Sequence, residues 1–252
     1  MHPVAERYIG ETGTAEAHWR ALLSRVQRLE LDEWVRPDAR LVVVSPHPDD
    51  EILGCGGMLA SHVERGGKAM VVALTNGEAS HPDSETWSPV ALGQVRRVES
   101  ERGLRVLGIH ERAVVRLGFP DGALSRYAGP LRESLGLLVQ PGDVVVSTWR
   151  HDGHADHEIA GEMSQQVCAE ARVPCLQAPV WMWHWSRVGD PRVPWHLLRG
   201  LSLTKDVVER KACALSAHVT QLTPRSDHQG PVLDPLIVER ASREAEYFFV
   251  QP

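Results

Sequence analysis

The chain predicts an α/β fold, Rossmann-like, with a mostly parallel sheet and helices on both faces. Three observations carry that expectation. Short apolar runs alternate with helix-like segments from Leu41 onward, and parallel neighbours joined by such crossovers build this architecture. The runs at 41–45 and 144–148 read as buried strands. Each is followed at once by a cluster of histidine and aspartate, and ligands in such sheets sit beyond the carboxyl ends of strands.

The elements follow in order. Trp19, Leu22, Leu23, Val26 and Leu29 recur at three or four residues, which predicts an amphipathic helix in an N-terminal extension, 1–40, with no chemistry of its own. The strand at 41–45 leads to a helix over 52–65, closed by Gly66 and Gly67, and then to a strand over 70–74. A helix over 92–107, a strand over 114–117, and a helix over 124–139 ended by Pro141 and Gly142 come next. After the strand at 144–148 the pattern continues with a helix over 157–171 and a strand over 179–185. Trp181, Trp183 and Trp185 alternate along that last segment, placing three indoles on one face as core packing, with a stacking wall for a ligand as the alternative. The stretch 186–203 is rich in Pro and Arg without a clear period, and reads as irregular or a lid. Helices over 205–218 and 235–247 close a single domain spanning 1–252.

Composition narrows the classes. The chain has 252 residues, 42% of them hydrophobic, and a net charge of -6 from 27 Lys and Arg against 33 Asp and Glu. No basic tract is present to neutralise a phosphate backbone, so nucleic acid is not an expected partner. The start, from Met1 to Arg7, lacks a signal-peptide pattern, and no apolar stretch reaches the roughly 18 residues of a membrane span. Cys55, Cys168, Cys175 and Cys213 show no CxxC spacing and have small or apolar neighbours, which predicts buried, reduced thiols and a cytoplasmic protein. Oligomeric state is not encoded in any of these signals.

The chemistry lies in the two clusters. The first holds His47, Pro48, Asp49, Asp50 and Glu51; the second runs from His151 through Asp152, Gly153, His154, Ala155 and Asp156 to His157. A hydrolytic metal site needs about three mixed imidazole and carboxylate ligands and an open position for water. His47, Asp49, Asp50, Glu51, His151, Asp152, His154, Asp156 and His157 are the candidates. Pro48 fixes one dihedral after His47, so His47 and Asp50 can converge while Asp49 faces the same cavity. Acids before a helix also suit a cap, but a cap explains neither His47 nor the second cluster. Asp156 is read either as a group orienting His154 or as a helix cap beside His157.

These motifs resemble the PIG-L or LmbE-like family of zinc-dependent N-deacetylases. The matching pieces are Pro46 to Glu51 after one strand and Gly153 to His157 after another, with weaker likeness at Thr75 to Glu78, Arg96 to Glu99, Leu117 to Gly122, and Lys211 to His218 with Gln221. The resemblance implies His47, Asp50 and His157 as metal ligands and Asp49 as general base. It implies His154 as the group that stabilises the oxyanion and protonates the leaving amine, and Arg96 and Asp121 as contacts to sugar hydroxyls. Ala155 stands where the family often has Pro, which removes no ligand. The implied activity is removal of an N-acetyl group from an N-acetylglucosamine-type amino sugar or conjugate, with a small-molecule amino sugar as partner. Zinc is the expected metal, although two imidazoles and a carboxylate also accept Fe(II) or another divalent ion. Two alternatives share these residues: a hydrolase of a different amide, and a non-haem Fe(II) oxygenase with a 2-His-1-carboxylate site. On residue type alone, His184 and His218 read as ordinary polar or core histidines.

Overall fold

In the computed structural model, which describes residues 14–82, 84–226 and 228–250, eight strands among the described residues form one sheet. The strands are β1 (Arg28–Leu29), β2 (Arg40–Ser45), β3 (Lys68–Ala73), β4 (Val114–Arg116), β5 (Val144–Thr148), β6 (Cys175–Ala178), β7 (Leu198–Ser202) and β8 (Ala245–Val250), in the order β1-β7-β8-β6-β5-β2-β3-β4. Every pairing is parallel except those of β8, which runs antiparallel to β6 and β7. The parallel α/β expectation therefore holds. From β2 the chain goes to β3 on one side and later reaches β5 on the other, so the strand order reverses between β2 and β5. That reversal opens the crevice in which such sheets bind ligands.

Alternation along β2 divides the core. Leu41 and Val43 pack on one face with Ile52, Met58 and Leu59 of α3 (Asp50–Glu64) and with Leu104 of α4 (Pro89–Val106). Val42 and Val44 pack on the other with Leu131 and Leu135 of α5 (Ala128–Leu138) and Ala160, Met163 and Val167 of α6 (Ala155–Ala171). With β2 flanked by β3 and β5, these side chains are removed from water on both faces, each worth roughly 1.5–3 kcal/mol.

Several expectations need correction. The N-terminal segment carries α1 (Glu16–Leu23), whose Trp19 meets Trp183 edge-on at 5.1 Å, and α2 (Leu31–Trp34), but it also supplies β1, which pairs with β7. It is thus part of the sheet; its residues 1–13, including the start that lacks a signal pattern, lie outside the described residues. The stretch 186–203 contains β7, because Leu198 and Leu201 bury against the core while the backbone pairs with β1 and β8. The strand expected over 179–185 lies earlier, as β6, and that range instead holds a turn and a short helix, α7 (Met182–Trp185), since the carboxylate of Asp152 takes the amide N–H groups of Val180, Trp181 and Met182 and turns the chain. The helix expected over 205–218 ends early, as α8 (Lys205–Leu215), and a separate short helix, α9 (Val219–Leu222), follows it. The last helix stops early, as α10 (Pro235–Ala241), and the following residues form β8. Cys55 and Cys168 are buried as expected, but Cys175 is half-buried and Cys213 exposed; all four are free thiols.

Gly161 lets α6 lie against the end of β5: a Cβ there would stand 2.5 Å from the Thr148 carbonyl oxygen and 2.6 Å from the Arg150 nitrogen. Both obstacles are backbone. We expect Gly161→Ala to destabilise the fold by about 1–3 kcal/mol, as overpacking does, read from urea denaturation midpoints. An unchanged midpoint would mean that α6 can move off β5 freely.

Candidate metal centre

Parallel pairing of β2 with β5, in which Val44 faces Ser147, delivers both clusters to one point. His47 lies in the turn after β2, Asp50 opens α3, and His157 sits in the first turn of α6. His47 Nδ1 is 3.1 Å from Asp50 Oδ2 and 3.2 Å from His157 Nε2, and His157 Nε2 is 3.1 Å from Asp50 Oδ2. The three atoms form a nearly equilateral triangle. Donors of a tetrahedral zinc site with bonds of about 2.0–2.2 Å stand roughly 3.3–3.6 Å apart, so the triangle is close to that size.

The opposite edges of both rings are fixed by carboxylates. His47 Nε2 lies 3.1 Å from Asp121 Oδ1 and 3.5 Å from Asp156 Oδ2, while His157 Nδ1 lies 2.8 Å from Asp152 Oδ2. A neutral ring that donates on that side presents a lone pair on the other. Two lone pairs and a carboxylate oxygen then face one another and repel unless a proton or a cation stands among them. Burial works against charging either imidazole, yet hydrogen bonds to Asp121, Asp156 and Asp50 raise His47, and the Asp50 charge with the Asp152 hydrogen bond raises His157 to about 9. Asp50 is shifted the other way: burial is outweighed by the His157 charge, and its carboxyl falls well below the usual range. Protons can thus hold the cluster together, and a divalent cation fits the same position and would displace them.

Asp49 caps α3 at φ 134°, a left-handed conformation for a residue with a side chain. Glu51 supports it: Oε2 accepts the Asp49 N–H and the Ser45 hydroxyl, and Oε1 accepts the Ser100 hydroxyl. Burial lifts the Asp49 carboxyl to about 7 against the opposing pull of Arg96, with the Asp50 and Glu51 charges adding to the rise. His154 caps α6 by accepting the Asp156 N–H at Nδ1, which leaves the proton of the neutral ring on Nε2. Burial, then the His157 and His47 charges, lowers it to about 3.

Arg96 and Asp121 border the cavity and also brace its residues, while the Asp156 carboxylate points away from His154. Arg96 is 2% exposed; it donates to the carbonyl oxygens of Gly77 and Pro48 and to Asp49 Oδ2, so its guanidinium braces the Asp49 turn. Asp121 turns one oxygen to His47 and accepts the Ala79 N–H with the other. The Asp156 carboxylate accepts from the amides of Gly122 and Leu124 and faces His47; only its backbone N–H meets His154. Asp152 had no distinct role in the sequence, although it lies two residues before His154; fully buried, it holds His157 and the 180–182 amides together. Glu51 and Asp152 thus serve the site from behind, and His151 does not line the cavity.

A cavity of about 240 Å³ opens over the cluster, bordered by His47, Asp49, Asp50, His154, Arg96 and Asp121 on its polar side and by Leu53, Trp181, Val232 and Leu233 on its apolar side. Of the three tryptophans, only Trp181 lines it; Trp183 packs in the core, and Trp185 donates to the Asp152 carbonyl oxygen. Gln221 also lines the cavity, with a buried Oε1 that has no partner among the described residues. His218 is fully buried, neither ring nitrogen has a partner among the described residues, and burial pulls it down to about 3, so it is a neutral packing group.

Residues 42–168 match the family model described as PIG-L: GlcNAc-PI de-N-acetylase. A diacetylchitobiose deacetylase of Thermococcus kodakarensis is 28% identical over 159 residues, 61% of this chain and 58% of that protein, so this chain aligns with little more than half of that relative. A probable N-acetyl-alpha-D-glucosaminyl L-malate deacetylase 2 of Bacillus anthracis is 26% identical over 76% of this chain and 85% of that protein. A 1D-myo-inositol 2-acetamido-2-deoxy-alpha-D-glucopyranoside deacetylase of Mycobacterium sp. (strain KMS) is 26% identical over 77% and 78%. Among solved structures, the N,N'-diacetylchitobiose deacetylase of Pyrococcus horikoshii superposes with a TM-score of 0.69 at 19% identity, covering 96% of this chain and 95% of that one, and so shares the fold. With its two motifs meeting on one sheet and half of its length matched by the family model, this chain belongs to the PIG-L family of metal-dependent N-deacetylases.

Proposed function

We propose that this protein is a zinc-dependent hydrolase that removes the N-acetyl group from an N-acetylglucosamine-type amino sugar or conjugate, working in the cytoplasm. The observation that carries this reading is the triangle of His47 Nδ1, Asp50 Oδ2 and His157 Nε2 at the floor of a cavity that also holds Asp49 and His154. When bound there, a divalent cation supplies Lewis acidity, lowering the pKa of a water toward about 7 and polarising the acetyl carbonyl. The family and the activities of the relatives support an acetylated amino sugar as substrate. The parallel α/β host does not favour the oxygenase alternative, and no helix among the described residues is long and apolar enough to cross a membrane.

In this reading Asp49 takes the proton of the attacking water. Its burial makes it a stronger base than a surface carboxylate, while the Arg96 guanidinium at 3.2 Å favours the ionised form that accepts the proton. His154 directs its Nε2–H at the oxygen where negative charge develops; with Nδ1 occupied by the α6 cap it acts as a neutral donor. Asp49 then holds the proton that the leaving amine needs, which shifts part of the acid role from His154 to Asp49. Trp181 gives a sugar ring a flat surface, and Gln221 Oε1 is an acceptor for a hydroxyl. Arg96 and Asp121, which border the cavity, contact sugar hydroxyls in this reading and also fix Asp49 and His47.

Three measurements test this. Purified protein should release acetate from a panel of N-acetylglucosaminyl compounds, lose that activity on chelation and regain it with zinc; release from none of the panel with metal bound would point to a different amide. Asp49→Asn should keep its metal while kcat falls about 10²- to 10⁴-fold, and His154→Ala should lower kcat about 10²- to 10³-fold. An effect confined to KM contradicts either role. Asp152→Asn should weaken zinc binding roughly 10- to 100-fold, measured by competition with a chromophoric chelator. Unchanged affinity would show that His157 needs no carboxylate behind it.

A further inference from the structure

α3 is broken at Cys55, whose φ −151° and ψ 24° leave the helix. One turn from Asp50 to Gly54 precedes the break, and the longer part of the helix follows it. In an unbroken helix the Gly57 N–H would bond to the Leu53 carbonyl oxygen and the Met58 N–H to that of Gly54. Here Gly57 N–H donates to Glu246 Oε1 at 2.6 Å and Met58 N–H to Glu246 Oε2 at 2.8 Å, while the Leu53 carbonyl oxygen accepts from Lys211 Nζ at 3.1 Å. Lys211 Nζ and Glu246 Oε1 are 2.7 Å apart. An ion pair thus stands inside one opened helical hydrogen bond.

The signs fit the backbone. The carboxylate, from β8, caps the amide end of the second piece of α3; the ammonium, from α8, caps the carbonyl end of the first. Both residues are almost fully buried, Lys211 at 3% exposure and Glu246 at 3%, where an ion pair costs desolvation that only good geometry and further hydrogen bonds offset. A small residue makes room for it. A Cβ on Gly57 would meet Leu203 at 2.5 Å and Glu246 Oε1 at 3.1 Å.

We propose that Lys211 and Glu246 are positioning residues: their ion pair holds α3 open at Cys55 and thereby fixes the angle at which the turn carrying Asp49 and Asp50 faces the cavity. The inference rests on the reading of Asp50 as a metal ligand and Asp49 as base. A straight α3 would rotate that turn about the axis of the longer piece and carry Asp50 Oδ2 away from His47 and His157. The pair touches no reacting atom. Its effect passes through the Leu53 carbonyl at the end of the first turn and the Gly57 and Met58 amides at the start of the next.

The test compares Lys211→Met, Glu246→Gln and the double variant, which leaves no lone buried charge, with Leu135→Ala, a destabilising change on the opposite face of the sheet. Zinc dissociation constants by chelator competition should rise at least tenfold in all three break variants and stay within twofold of wild type in Leu135→Ala. In metal-free protein, hydrogen exchange at the Gly57 and Met58 amides should quicken at least tenfold in the single variants. Zinc affinity in the break variants equal to that of wild type or of Leu135→Ala overturns the inference. Should wild type bind zinc no better than His157→Ala, the ligand reading itself fails; the exchange arm then decides alone, and unchanged exchange at Gly57 and Met58 overturns the role of the pair at the break.

Discussion

The side-by-side parallel pairing of β2 and β5 is the constraint on which the rest depends. His47 and Asp50 follow β2 and His157 follows β5, and nothing local brings the two sets within 3.2 Å. Backbone hydrogen bonds between two strands with apolar side chains on both faces set the relative height of the loops, because a parallel ladder cannot slip without moving every buried Val to a new neighbour. The flanking helices then only need to begin in the right place, and α3 and α6 both begin at the cluster.

A repeated device lies behind the cavity: His47, His157 and Asp49 each have a carboxylate or guanidinium at their back. Asp121 stands behind His47, Asp152 behind His157, Glu51 behind the Asp49 backbone, and Arg96 beside the Asp49 carboxylate. These supports reach into other parts of the fold as well. Asp121 ties the loop after β4 to Ala79, and Asp152 holds the segment that presents Trp181. The histidine cluster and the apolar wall therefore share one support, so the position of the wall is set by the same carboxylate that orients His157.

Much of this was legible in the chain, for identifiable reasons. The two clusters lie directly behind Val-rich runs, and a motif that short, next to a strand that plain, keeps its meaning in the fold. Arg96 and Asp121 were visible only through family resemblance, and their partners could not be read because Pro48, Gly77 and His47 are close to them only in three dimensions. The tryptophan segment misled because alternation at 181, 183 and 185 looks like a strand, whereas the outcome was decided by Asp152, which is distant in sequence and competes for the amides a strand would have used. β8 was hidden for a related cause. Its residues continue a helical stretch, but Tyr247, Phe248 and Phe249 fill the gap between β6 and β7, and that tertiary opportunity overrides local preference.

The backbone at Asp49 sets chemistry and durability against each other. A conformation with φ 134° is one that glycine adopts freely and aspartate resists, at a penalty of order 1–3 kcal/mol. Selection of a random library for heat tolerance alone would drift toward glycine at this position and discard the carboxylate proposed as proton acceptor on the way. On that proposed role, an aspartate there marks a place where the molecule tolerates a weaker scaffold in exchange for reactivity.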